Sequence, residues 1–194
     1  MNSINIYLYD DMVSLKDDFI AENLINLPKF RQEQCNRFRQ YHDKRNCILA
    51  YTLLMQGLKE QYGITDPISF VYNEYGKPYL YEYPHIFFNI SHCKSGVVCA
   101  LAEIEIGIDI QCIRPFDWKV AQRVCSKSEL LLLKEADNPE HLFCKLWTRK
   151  EAYAKSTGVC LSSVFQTDFT NFEKVGFETW EEDDYCISFF SRYL

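Results

Sequence analysis

The stretch EIEIGIDIQ, residues 103–111, limits the fold most, because isoleucine returns at every second position: Ile104, Ile106, Ile108 and Ile110. Side chains of a β-strand point alternately to its two faces, so this spacing predicts a strand with one apolar face. Gly107, Asp109 and Gln111 then share the opposite face. A carboxylate on such a strand is held rigidly, and the neighbouring glycine is expected to leave space for a ligand.

The second constraint is a helix. Asn138 is expected at the N-cap, Pro139 at the first helical position and Gly158 at the C-terminal stop. Between these limits Phe143, Trp147, Glu151 and Lys155 follow at four-residue steps on one stripe. Phe143 and Trp147 read as core. A Glu/Lys pair one turn apart is ordinary helix decoration, worth only a few tenths of a kcal/mol, so the pair alone decides nothing.

The rest of the chain supplies partners for both elements. Residues 4–9 read as a strand and 17–26 as a short helix, and a helical pattern runs from Pro28 to about Tyr62. After Gly63 the segments ISFVYN, EYGKPYL, HIFFNIS and SGVVCALA read as strands and turns. Helix resumes at Asp117. Beyond Gly158, SSVFQTDF, VGFETW and YCISFFS read as short strands that close a second sheet. Strands and helices therefore appear twice in similar order, with the changeover near residues 102–106. The expectation is an α+β fold of two similar α/β halves, residues 1–104 and 105–194, packed in pseudo-twofold fashion around a cleft.

Composition narrows the function classes. The chain has 194 residues, 47% hydrophobic and 15% aromatic, with only seven glycines and six prolines, which describes an ordered globular protein without a long flexible linker. A formal net charge of -6 argues against broad nucleic-acid binding, which needs a basic surplus. No apolar run approaches the roughly 20 residues that span a bilayer. MNSINIYLYDD lacks the basic segment and apolar core of a signal peptide. None of the nine cysteines has the two-residue gap of a zinc knuckle or redox motif, and several sit in apolar runs such as VVCAL and HLFCKLW. Reduced, mostly buried thiols in a cytoplasmic protein are expected.

Three pieces occur in a fixed order: NISH at 89–92, GIDIQ at 107–111 and KLWTRKEAYAK at 145–155. Together with EYGKPYL at 74–80 and HIFFNISHCKSGVVCAL at 85–101, the chain resembles the phosphopantetheinyl transferases over roughly residues 25–165. The resemblance is to their larger, monomeric type, which activates nonribosomal peptide synthetases and other carrier proteins. It implies transfer of 4′-phosphopantetheine from coenzyme A to a serine of an apo acyl or peptidyl carrier protein, releasing adenosine 3′,5′-bisphosphate.

The resemblance also implies roles for residues. Asp109 and Glu151 would bind Mg²⁺, with Mn²⁺ as the alternative, and Glu151 or a water that it orients would take the serine proton. Lys155 would reach the pyrophosphate. Ser91, His92, Arg45, Lys77 and Arg31 fall at coenzyme A-binding positions. Gln111 departs from the family, many of whose members have a third acidic ligand there; its amide would reach the metal directly or through water.

In RPFDWKVAQRV, residues 114–124, Phe116 and Trp118 would anchor the carrier, with Arg114, Lys119 and Arg123 as electrostatic guides; packing of the junction between the halves is an equal reading. Two other functions stay open at this point. One is a non-catalytic module that binds coenzyme A or a carrier protein. The other is a metal-dependent nuclease, weakened by the acidic charge and by the helical Glu/Lys spacing. No nucleic-acid or membrane partner and no second copy of the chain are expected.

Overall fold

The computed structural model describes residues 4–16, 18–170 and 176–192. Asp17 and Val175, the first residues of two expected elements, lie outside the described residues.

The isoleucine segment forms strand β6 (Ile106–Cys112), following the first-half elements β1 (Asn5–Tyr9), α1 (Phe19–Leu24), α2 (Lys29–Arg37), α3 (Tyr41–Tyr62), β2 (Phe70–Tyr72), β3 (Pro78–Leu80), β4 (Phe87–His92) and β5 (Val97–Ala102). After it come α4 (Trp118–Val124), α5 (Lys127–Glu135), α6 (Pro139–Thr157), β7 (Phe177–Glu181) and β8 (Tyr185–Ser191). All pairings are antiparallel. One three-stranded sheet has the order β1-β5-β4, the other β6-β8-β7, and β2 pairs with β3 alone. The two larger sheets thus share one connectivity: a strand, a long helix, then a hairpin whose second strand pairs with the first strand.

The apolar patterns explain the layering. Val97, Cys99 and Leu101 of β5 face α3, where Ile48, Leu54 and Leu58 are fully buried. Val98, Ala100 and Ala102 face the other way and meet Ile106, Ile108 and Ile110 of β6 with Ile187 and Phe189 of β8. A strand covered on both faces reads as an unbroken apolar run, which is why VVCALA does not alternate. The opposite face of β6 and β8 is covered by α6.

Helix α6 starts with Pro139 and ends at Gly158, whose φ of 67° lies in the left-handed region. Asn138 precedes it without a side-chain capping bond. Gly107 corrects one expectation. A Cβ there would stand 1.9 Å from the Ala152 carbonyl oxygen and 2.5 Å from the Ser156 nitrogen, so the space beside Asp109 is filled by helix backbone and not left for a ligand. Glycine here lets strand and helix approach closely.

Two other segments differ from expectation. The helical stretch 28–62 breaks at Phe38–Gln40, whose end residues are extended, and α2 folds back to bury Cys35 against Cys47 of α3. SSVFQTDF forms a 3-10 turn, Leu161–Val164, followed by irregular chain. Its backbone bonds go to Val124 and to the Glu129 carboxylate instead of a strand, while Val164 and Phe169 are buried beside Ala152 and Phe190. Among the described residues, no helix is long and apolar enough to cross a membrane.

Candidate active site

β4 runs beside β6, and the two are joined by side chains. Asn89 accepts a hydrogen bond from the Ile108 N–H at 2.8 Å, and the Ser91 hydroxyl donates to Asp109 Oδ1 at 2.6 Å. α6 crosses the same face, where Lys155 Nζ donates to Asp109 Oδ1 at 2.6 Å, to the Ser91 hydroxyl at 2.9 Å and to the Ile108 carbonyl at 3.3 Å. Three residues far apart in the chain therefore form one bonded cluster at the seam of the two sheets.

Glu151 lies one turn before Lys155, and its carboxyl forms no hydrogen bond among the described residues. Burial raises its carboxyl above the usual range, the Asp109 charge raises it further, and Lys155 opposes both. Glu151 and Lys155 line a cavity of about 430 Å³ together with Lys77, Pro78, Asn89 and Ile90. Lys77 is placed by a turn in which Asn73 Oδ1 accepts from the Tyr75 and Lys77 N–H groups and Gly76 takes a φ of 84°. The Asn73 amide also donates to the Gly158 carbonyl, which ties this turn to the end of α6. Lys77 Nζ bonds the Ser156 carbonyl at 2.8 Å and ion-pairs with Glu105. Its burial lowers the ammonium's pKa, and Glu105 counters that.

The remaining expected residues fall into three groups. Arg45 and His92 are bridged by Asn46, which accepts from Arg45 Nε at 3.1 Å and lies 3.4 Å from His92 Nδ1. Arg31 stacks over Tyr51, 5.2 Å from its ring centre, and lines a second cavity of about 210 Å³ that shares Gly76, Pro78, Asn89 and Ile90 with the first. Gln111, Arg114 and Phe116 line a third cavity of about 310 Å³ together with Phe143 and Trp147. There Phe116 stacks on Phe143 at 4.4 Å and Trp118 meets Phe116 edge-on at 5.2 Å. Arg123 instead sits over the Phe165 ring, and Lys119 is exposed.

Sequence reasoning missed Asn46, Asn89 and Glu105, and it missed the support beneath the site. Lys150 is fully buried on α6 and pairs with Glu129 of α5 at 2.9 Å. Glu129 also accepts from the Ser126 N–H in a capping box. The spacing Ser126 to Glu129 is a readable helix-start signal, and it marks α5.

Among the described residues, no group of three or more His, Cys, Asp and Glu side chains is arranged to hold a metal. The donors present are hard oxygens, and Asp109's charge already acts on Glu151. Glu151 lines the cavity, whereas Asp109 is buried and held by Ser91 and Lys155; two carboxylates that repel one another fit Mg²⁺, which completes its shell with waters and phosphate oxygens.

Comparison with known proteins agrees with this geometry. Residues 105–194 match the family described as the 4′-phosphopantetheinyl transferase superfamily. The chain is 36% identical over 135 residues to 4′-phosphopantetheinyl transferase Sfp of Bacillus subtilis, covering 68% of this chain and 60% of that protein. It is 35% identical over 136 residues to 4′-phosphopantetheinyl transferase gsp of Aneurinibacillus migulanus, covering 69% and 56%. With AcpT of Salmonella typhi the identity is 38% over 106 residues, covering 52% and 55%. Residues 105–194 belong to the 4′-phosphopantetheinyl transferase superfamily, and the likeness to its members extends over 68% of the chain. Its likeness is to the Sfp type, and it spans about 60% of the length of the Sfp protein.

Proposed function

We propose that this protein transfers the 4′-phosphopantetheine arm of coenzyme A to a serine of an apo acyl or peptidyl carrier protein. The observation that carries the reading is the bonded Ser91–Asp109–Lys155 cluster, whose Lys155 lines, with Glu151, a cavity between α6, β4 and the β2–β3 turn. In this reading Asp109 and Glu151 hold Mg²⁺, with Gln111 reaching it through water at most, since its neighbours line a different cavity. When bound, Mg²⁺ neutralises pyrophosphate charge.

The residues of the chain do the rest. Lys155 exchanges its contact with Asp109 for pyrophosphate oxygens and stabilises the charge that develops on the leaving phosphate. The carrier serine oxygen bonds to the phosphorus that bears the pantetheine arm, the bridging P–O bond breaks, and adenosine 3′,5′-bisphosphate departs. Glu151, or a water that it orients, accepts the serine proton. Arg31, Arg45, Lys77, Ser91 and His92 surround the coenzyme, although Lys77 must loosen from Glu105 to contribute a full charge. Phe116 and Trp118, with Arg114, receive the carrier, and Arg123 adds long-range attraction.

The shared connectivity of the two sheets supports two pseudo-twofold halves divided near residue 105, in one monomeric chain that works in the cytoplasm. Mass spectrometry of an apo carrier incubated with coenzyme A, Mg²⁺ and this protein tests the activity. The expected product carries one phosphopantetheine arm. Carriers of several types left unmodified while coenzyme A still binds would replace this reading with a binding module.

A further inference from the structure

Cys35 and Cys47 belong to different helices, yet their sulfurs are in contact at 2.7 Å. Cys35 is the buried residue of α2, whose remaining side chains are half-buried or exposed, so this contact is the centre of the attachment of α2 to α3. Arg31 rides on the same helix. Its guanidinium donates to the Cys47 carbonyl at 3.3 Å and stacks on Tyr51 while lining the cavity with Asn89 and Ile90.

We infer that Cys35 and Cys47 are a site of reversible oxidation, whose disulfide pins α2, and with it Arg31, onto α3. The backbone already brings the two side chains together, which is the condition for bridging them. The two thiols are also unequal. The hydrogen bond from Cys35, helped by the nearby Arg31 charge, draws the Cys47 thiol down to about 7 against the opposing effect of burial. The same bond and burial push Cys35 up. Cys47 serves here as the attacking sulfur, and the disulfide is the same if Cys35 is oxidised first.

A hydroperoxide small enough to reach a buried thiol serves as oxidant. The Cys47 thiolate attacks one oxygen of hydrogen peroxide, the O–O bond breaks, and the departing hydroxide takes a proton to become water. Cys35 then attacks the sulfur of the Cys47 sulfenic acid, the S–O bond breaks, and a second water leaves with the Cys35 proton. Two thiols lose two electrons and the peroxide is reduced to two waters. A dithiol reductant reverses the bond.

Two other thiol pairs are in contact, Cys93 with Cys112 and Cys144 with Cys186. Their backbones are already held by β4, β6, β8 and α6, so a bond there would move little. The Cys35–Cys47 pair is the one that bears on a helix with a single buried anchor.

The test uses the full chain in a Cys160→Ser background, which removes the exposed thiol. After hydrogen peroxide treatment, non-reducing peptide mapping should find the Cys35 and Cys47 peptides joined and two hydrogens lighter. Dithiothreitol should separate them, and Cys47→Ser should abolish the link. Amide exchange across α2 should slow at least about tenfold, as expected when local opening is suppressed. Recovery of Cys47 as free thiol or sulfinic acid without the link, or unchanged exchange in the linked chain, overturns the inference. Its consequence for coenzyme A rests on the proposed function: the oxidised chain should bind coenzyme A severalfold more tightly, and Arg31→Ala should remove that difference while the link still forms. Equal affinity in the two states overturns the coupling to Arg31. Absence of coenzyme A binding in both states counts against the proposed function and leaves the peptide map to decide the thiol pair.

Discussion

Lys150 and Lys155 stand five positions apart on α6, and each meets a carboxylate from another element. Lys150 pairs with Glu129 of α5 at 2.9 Å, and both side chains are 0% exposed. Lys155 pairs with Asp109 of β6 at 2.6 Å, with 27% and 7% of the side chains exposed. The sealed pair is fully committed: Lys150 also bonds the Thr167 carbonyl, and Glu129 also accepts from Ser126 and Phe169. The open pair is also well bonded, Lys155 donating to Ser91 and the Ile108 carbonyl as well, but it is partly exposed, and the Glu151 carboxyl beside it has no hydrogen bond among the described residues. Two ion pairs of the same chemistry thus do different work. One braces α6 against α5, and the other, in the proposed function, trades its carboxylate for a phosphate at the cavity wall.

Glu129→Ala should give the largest effect. It leaves the Lys150 ammonium buried without its counter-charge, which costs about 3–5 kcal/mol, a large part of a typical domain's stability. Urea denaturation measures the loss, and the double variant Glu129→Leu, Lys150→Met should recover part of it, since the Ser126 and Phe169 N–H groups still lack their acceptor. A single-variant loss below about 1 kcal/mol would show that the sealed pair does not hold the helix.

Lys155→Ala should do the reverse. Stability should fall by less than in Glu129→Ala, because this site is partly exposed, while transfer to a carrier falls by roughly 10²–10³-fold, as when one charge-stabilising donor is removed. Melting and rate measurements on the same preparation separate the two. Equal damage to folding and rate would erase the contrast between the pairs.

Gly107→Ala tests the frame that both pairs share. Its methyl would meet the Ala152 carbonyl and force α6 off the strand, at a cost of about 1–3 kcal/mol and with a slower transfer rate. A fully stable, fully active variant would show that the helix adjusts freely. Gln111→Glu should have the smallest effect, a change of less than about tenfold in Mg²⁺ affinity, read from the metal dependence of the rate. No change at all would place this side chain outside the metal's surroundings.

The elements with a strict local period were readable. Isoleucine alternation marked β6 and the face of Asp109, while Pro139 and Gly158 marked the ends of α6. The 28–62 helix and SSVFQTDF were misread because their outcome depends on distant partners: Cys47 draws α2 back, and Glu129 takes the backbone N–H that a strand would have paired. The candidate site residues Asp109, Glu151 and Lys155 were visible as motifs, but Asn46 and Asn89 were not, since an amide that braces a neighbour has no periodic signal.

The same division holds for the lysines of WTRKEAYAK. Sequence alone determined that both lie on one helix and that Glu151 and Lys155 share a face, because backbone geometry sets which residues align. Only the tertiary structure decided that Lys150 is sealed and Lys155 open, and that Gly107 makes room for a helix. Those outcomes depend on α5, β4 and β6 arriving from elsewhere in the chain, where packing and desolvation assign each charge its partner.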